Sequence, residues 1–319
     1  MLIGVYACTH LNGRSSTLQT PGLQISTMDH QGQTRIFGVY EPASLSSSAN
    51  AVPLVLLLHG GGGGALQIFE TEFGQDWREL ADEHGFLLAA PQGRADLSDG
   101  SSHHWNDCRT GITNPDVATN LDDIGFVTSL IDLLSDHYSI DNTRVYATGA
   151  SNGGMMSYRL AMEAPERFAA IGALIANVPE PSECAQPTAP ISVLIMNGTE
   201  DPLIPYDGGC VANNACRRGE VASTDESVRL WVDLNETSTT PVVVNLPDEV
   251  ANDGSVVVKS RYEHGLNNTE VWLYRVEGGG HTVPGEEPIG LARRLIVGNK
   301  NRDINGAVET WEFFQRHRR

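Results

Sequence analysis

Lysine is almost missing from this chain. Among 319 residues only Lys259 and Lys300 occur, and every other basic residue is arginine. Forty Asp and Glu against 21 Lys and Arg give a formal charge of −19. Nucleic acid and anionic membrane both need a positive footprint, so neither is an expected partner. The acidity serves solubility and, in a sharper reading, hydration of the surface in high salt. Long hydrophobic runs are lacking too: no stretch reaches the ~20 apolar residues that span a bilayer. No internal repeat or low-complexity tract occurs. With 33 Gly, 16 Pro and 40% apolar residues, the composition is that of a turn-rich globular chain rather than collagen, a coiled coil or disorder. A chain of this length buries a core without metal or disulfide staples.

Cysteine is sparse, at five residues. There is no CxxC and no nearby His pair, so no zinc site is expected. Cys210 and Cys216 bracket a short polar loop and could close a small ring. Cys108 and Cys184 could then pair, leaving Cys8 over, although spacing alone fixes no pairing. Such usage favours an oxidising location, secreted or periplasmic. The opening MLIGVYACTHLNG is short, apolar and without a basic leader. It is not a complete signal peptide but could be the tail of a truncated one, and Val5-Tyr6-Ala7-Cys8 loosely resembles a lipoprotein cleavage site. Residues 1–29 are therefore expected to be an N-terminal segment, and 30–319 one domain.

Leu54 to Leu58 form an unbroken apolar run that ends in His59 and five glycines, the mark of a strand buried on both faces. Helix is predicted over 66–84 and a strand over 85–90. Apolar residues at 121, 124, 127, 130, 131 and 134 predict a helix over 121–137, with Asn120 as its cap. Strands are predicted at 144–148, 169–176, 191–196 and 271–276. Helices are predicted at 155–164 and 303–316, and a hairpin around Asn252-Asp253-Gly254 within 241–261. Strands alternating with helices imply a mainly parallel sheet covered on both sides.

Gly149-Ala150-Ser151-Asn152-Gly153-Gly154 falls between a predicted strand and a predicted helix. That context makes a Gly-x-Ser-x-Gly pattern a nucleophile elbow rather than an incidental turn. A serine nucleophile needs a base, and the base an orienting acid, in the chain order Ser, acid, His for this architecture. After the strand at 191–196 comes Asp201, the candidate acid, with Glu200 and Asp207 as rivals. After the strand at 271–276, three glycines lead to His281, the candidate base; His264 and His317 fit the pattern less well. Oxyanion donors are expected from the Asn152 amide and from the loop at Gly60–Gly64, at Gly61 first and then Gly62. No Gly-Lys-Ser/Thr follows that loop, so it is not a phosphate cradle. His59 is expected to hold the loop rather than to catalyse.

At these residues the chain resembles the α/β-hydrolase superfamily, and more narrowly the polyhydroxybutyrate-depolymerase-like esterases that include bacterial feruloyl esterases. The likeness runs from about residue 30 to 316, through PLVLLLHGGGGGA, HHWNDCR, LDDIGFV, RVYATGASNGGMMSYRLA, MNGTEDPLIPYDGG, RRGEV and GGGHTVPG. It implies an α/β-hydrolase fold with helices on both faces of the sheet. It also implies Ser151, Asp201 and His281 as triad and Gly61 and Asn152 as oxyanion donors. Trp105, in HHWND, matches a tryptophan near the cleft and would be a platform for an acyl group, with Gly62 and Val283 as further substrate contacts. Val283 stands where family members often carry Trp, which would widen the pocket. The implied activity is that of a secreted serine ester hydrolase acting on feruloyl-type or polyester esters, without metal or organic cofactor. The alternatives are an acyltransferase using the same triad and a depolymerase acting on synthetic aromatic polyesters.

Overall fold

The computed structural model describes residues 20–45, 50–95, 102–112, 121–213 and 215–319. Cys8, Asn120 and most of the N-terminal segment lie outside these residues. A ten-stranded sheet forms the frame. In chain order its strands are β1 (Leu23–His30), β2 (Gln33–Tyr40), β3 (Val52–Leu58), β4 (Leu87–Pro91), β5 (Ile140–Ala150), β6 (Ala170–Leu174), β7 (Ser192–Gly198), β8 (Val242–Asn245), β9 (Val256–Tyr262) and β10 (Val271–Glu277). Their spatial order is β1-β2-β4-β3-β5-β6-β7-β10-β9-β8. The six strands from β4 to β10 run parallel, and antiparallel strands close both ends.

Every residue of β3 is buried, as a central strand requires. Leu54, Leu56 and Leu58 face one core, built with α2 (Asp123–His137), α3 (Asn152–Glu163) and α4 (Thr224–Asn235). Val55 and Leu57 face the other, built with α1 (Glu72–His84) and α6 (Gly306–Phe314) through Trp77, Leu80, Trp311 and Phe314. This alternation is the period-two geometry of a strand, and each buried Leu stabilises the fold by roughly 1.5–3 kcal/mol. The mainly parallel sheet with helices on both faces agrees with the sequence reading.

Four local expectations are corrected. The helix over 66–84 is broken at Thr71, whose extended backbone lets its side chain accept from Gly74 N–H and start α1. The cap of α2 is Asp122, which accepts from Gly125 N–H at 2.7 Å. The hairpin within 241–261 forms, β8 pairing antiparallel with β9, but Asn252-Asp253-Gly254 is not its tight turn. Asn245 pairs with Val258, so residues 246–255 connect β8 to β9, and Asp253 serves instead as acceptor for the Ser255 and Arg302 amides. The final helix is shorter, beginning after Asn305, which caps Ala307 and Val308. Elements not anticipated include the β1–β2 hairpin, the helix over Leu291–Val297, and α4, whose Ser223–Glu226 capping box is a readable start signal.

Candidate active site

β5 ends at Ala150 and α3 begins at Asn152, so Ser151 alone makes the turn between them. Its backbone lies at φ 59° and ψ −123°, a region that costs a non-glycine residue about 1–3 kcal/mol. The strain is held by Ser151 N–H donating to Leu174 O and by Met155 N–H donating to Ser151 O. The flanking glycines have no substitute. A Cβ on Gly149 would lie 2.5 Å from Leu58 O, and one on Gly153 would lie 2.1 Å from the same atom. The pattern exists because a sharp turn is forced against β3.

The glycine loop after β3 runs beside this elbow. A Cβ on Gly60 would be 3.7 Å from Ser151 Cβ, and one on Gly61 3.8 Å from Asn152 Cβ. Gly62 N–H donates to His103 O and Gly63 N–H to Gly60 O. Gly61 is thus the amide beside Asn152 that the loop's own bonds leave aside, and Gly62 is spent on structure. The Asn152 amide sits at the first turn of α3, where backbone N–H groups lack helical acceptors and the dipole favours negative charge. His59 holds the loop from beneath: its Nδ1 contacts Gly60 O at 2.8 Å and its Nε2 accepts from Gly93 N–H at 2.9 Å. Burial pushes the His59 ring down to about 4, against the Gly60 carbonyl, which favours the charged form. The ring is therefore neutral at pH 7.

Asp201 follows β7 and His281 follows β10, the neighbouring strand. His281 Nδ1 lies 2.7 Å from Asp201 Oδ2, and the other carboxylate oxygen accepts from the Leu203 and Ile204 amides at 2.7 and 2.8 Å. Both oxygens of this buried acid are thereby committed. The glycines before His281 permit the approach of two loops: a Cβ on Gly280 would lie 2.0 Å from Val297 O, and one on Gly198 2.3 Å from Gly279 O. Of the rivals, His317 contacts Ser192 Oγ at the opposite end of β7, far from the strand ends that carry Ser151. Glu200 and Asp207 do not make the contact to His281.

Ser151 and His281 line one cavity of about 680 Å³, with Gly60, Gly61 and Asn152. Ile68, Phe73, Ile112, Leu203, Ile204 and Val283 give its walls an apolar share, and Arg109, Arg218, Arg293, Lys300, Glu70, Glu72 and Asp76 bring charge. Burial raises the Asp76 carboxyl above its ordinary range, against the Asn305 amide. Trp105 is corrected: it is fully buried, its indole N–H donates to His59 O, and it offers no face to the cavity. Gly62 does not line the cavity either, whereas Val283 does. Cys108 is bonded to Cys184 and Cys210 to Cys216. The Cys and Glu groups close enough to share an ion, Cys108–Glu163–Cys184 and Cys210–Cys216–Glu220, hold their sulfurs in these disulfides. Sequence reasoning missed Ile175, a cavity residue at φ 45°, and the Asp107–Arg109 pair beneath Asn152.

A parallel sheet that carries a strained serine on a strand-to-helix turn, with acid and histidine after later strands, defines the α/β-hydrolase fold, and this chain has it. The prolyl oligopeptidase family pattern matches residues 80–179, the stretch that includes the elbow. Among named relatives, NocK of Nocardia uniformis subsp. tsuyamanensis, which carries an esterase name, is 35% identical over 177 residues, 56% of this chain and 48% of NocK. Feruloyl esterase B of Thermothelomyces thermophilus is 36% identical over 143 residues, 44% of this chain and 43% of that protein. The chain spans about half the length of these curated relatives. Among solved structures, the acetyl xylan esterase from Aspergillus awamori superposes with a TM-score of 0.53 at 14% identity, covering 82% of this chain and 95% of that one. That likeness is one of fold.

Proposed function

We propose that this chain is an exported serine carboxylic-ester hydrolase that works through an acyl-enzyme, with feruloyl-type esters as its preferred substrates. One observation carries the reading: a strained Ser151 and a His281 oriented by Asp201 at 2.7 Å open onto the same cavity. In this mechanism Ser151 Oγ attacks the ester carbonyl carbon while His281 Nε2 takes its proton. Asp201 fixes the tautomer through Nδ1 and stabilises the imidazolium. The tetrahedral oxyanion receives the Asn152 and Gly61 amides. Collapse expels the alcohol, which takes the proton from His281. Water, deprotonated by the same ring, then attacks the acyl-enzyme and frees the acid and Ser151.

The feruloyl class is supported by the names of several relatives and by a cavity with apolar wall residues and room for an aromatic acyl group. Export is supported by two disulfides, and no helix among the described residues is long and apolar enough to cross a membrane. The test compares methyl ferulate, short p-nitrophenyl esters and polyhydroxybutyrate film with wild type and Ser151→Ala. Wild type is expected to cleave the first two, and Ser151→Ala to lose nearly all turnover with its fold intact. A folded Ser151→Ala retaining more than a few per cent removes the mechanism. Turnover of the film without methyl ferulate replaces the substrate class.

A further inference from the structure

Asn152 supplies more than an amide. Its side chain is buried and every polar atom on it is engaged: Oδ1 accepts from Trp105 N–H at 2.8 Å, and Nδ2 donates to Trp105 O at 3.1 Å and to Asp107 Oδ2 at 2.6 Å. Asp107 is itself buried and is gripped by Arg109, with Nε 3.0 Å from both oxygens and Nη2 2.9 Å from Oδ2. Arg109 Nη1 donates onward to Arg218 O at 2.7 Å. Between the two charged residues stands Cys108, bonded to Cys184 across 76 positions. On the other side, Asn106 N–H donates to Asp123 Oδ2, whose partner Arg35 lies 2.7 Å from Oδ1. The segment 105–109 is thus anchored at both ends, with Asn152 between it and the elbow.

A buried ion pair adds little net stability, because desolvation offsets most of its Coulomb attraction. Its directional hydrogen bonds do fix geometry. Among the described residues, the one hydrogen bond that leaves the pair toward the cavity floor goes to the residue after the nucleophile.

We propose that Asp107 is a positioning residue for ester hydrolysis: through Asn152 Nδ2 it fixes the first turn of α3 so that the Asn152 amide faces the developing oxyanion, with Arg109 and the Cys108–Cys184 bond holding Asp107 in place. The proposal rests on the esterase reading above. Since it acts on an oxyanion donor, its loss lowers kcat and leaves KM nearly alone. Deleting such a donor outright costs about 10²–10³-fold in turnover; loosening it is expected to cost about 10- to 100-fold.

The experiment is a double-mutant cycle on p-nitrophenyl acetate with wild type, Asp107→Asn, Asn152→Ala and the pair. Circular dichroism and thermal melts accompany it, and so does the rate of inactivation by a fluorophosphonate, which forms a tetrahedral phosphonate ester with Ser151 Oγ as fluoride leaves. Both single variants are expected to lose kcat by that factor at KM within twofold, with inactivation slowed in step. The double variant is expected to lose no more than Asn152→Ala, because that variant already removes the Asp107 contact together with both bonds to Trp105. Losses that multiply, or singles with kcat within twofold of wild type, overturn the proposal. Should Asp107→Asn fail to fold, Asn152→Ala and Arg109→Lys decide together, the second loosening Asp107 while leaving both Asn152–Trp105 bonds in place: wild-type kcat in either overturns the proposal, and a selective kcat loss in both sustains it. Failure of the esterase reading is separate, showing as a wild type without turnover or a folded Ser151→Ala with it.

Discussion

The floor and the rim of the cavity are built under different constraints. On the floor, glycines at 149, 153, 198 and 280 sit where a Cβ would fall within 2.5 Å of a carbonyl oxygen, and Asp201 and Asn152 have their side-chain polar atoms committed. On the rim, the helix α5 (Leu291–Val297) has no buried residue, and Leu295 is 80% exposed. Arg218 and Arg293 are exposed as well. A floor that moves by a fraction of an ångström misplaces the reacting atoms, so it is over-determined. A rim that moves alters which groups fit above it. Chemistry is thereby fixed by backbone geometry, and selection among esters is left to side chains under weaker constraint.

The sharpest way to break this contrast is Asp201→Asn, which keeps the shape but alters the contact with His281 Nδ1. It is expected to lower kcat by about 10³–10⁴-fold with little change in melting temperature. Steady-state kinetics beside a thermal melt will decide; a loss under tenfold would place the orienting acid elsewhere.

Next in size is an acid effect on two buried rings, one beneath the floor and one at the far end of β7. Burial pushes His59, and with it His317, down to about 4. As pH falls below 6.5 the unfolded chain binds protons that the folded chain refuses until about pH 4, so stability falls across that window. Each ring contributes a loss of about 3 kcal/mol by pH 4. Denaturant titrations from pH 7 to 4 are expected to show this slope, roughly halved in His317→Gln. A flat profile would mean that both rings take up protons inside the fold as readily as in the unfolded chain, and half the slope that one of them does.

The smallest effect is expected on the rim. Leu295→Ser should change stability by no more than about 0.5 kcal/mol and turnover of a small soluble ester by less than twofold. A large loss on such an ester would show that α5 belongs to the floor.

Much of the frame was legible. The run from Leu54 to Leu58, followed by the glycine loop, suits a strand buried on both faces, and alternation of such runs with helices defined the parallel sheet. What escaped were elements whose start signals are polar and local. The β1–β2 hairpin turns on Gln31-Gly32, and α4 starts at its capping box at Ser223, with Val228, Trp231 and Val232 buried at helical spacing behind it; both signals are readable in the sequence. Trp105 shows the opposite error, in which a large aromatic beside a motif invited a ligand although the ring was needed to fill space under the glycine loop. Its backbone and Asp107 brace Asn152 through contacts 45 and 47 residues apart in the chain, and no spacing rule encodes them.

By itself, then, the order of residues determined the identities of nucleophile, acid and base as candidates, because strand, turn and glycine signals are short-range and each candidate follows its own strand. Only the tertiary structure decided that Asp201 rather than Glu200 meets His281, that Gly62 is committed to His103, and that Trp105 turns inward. Those outcomes depend on which carbonyls, amides and rings meet once strands distant in the chain lie side by side, and that is fixed by packing, not by sequence neighbours.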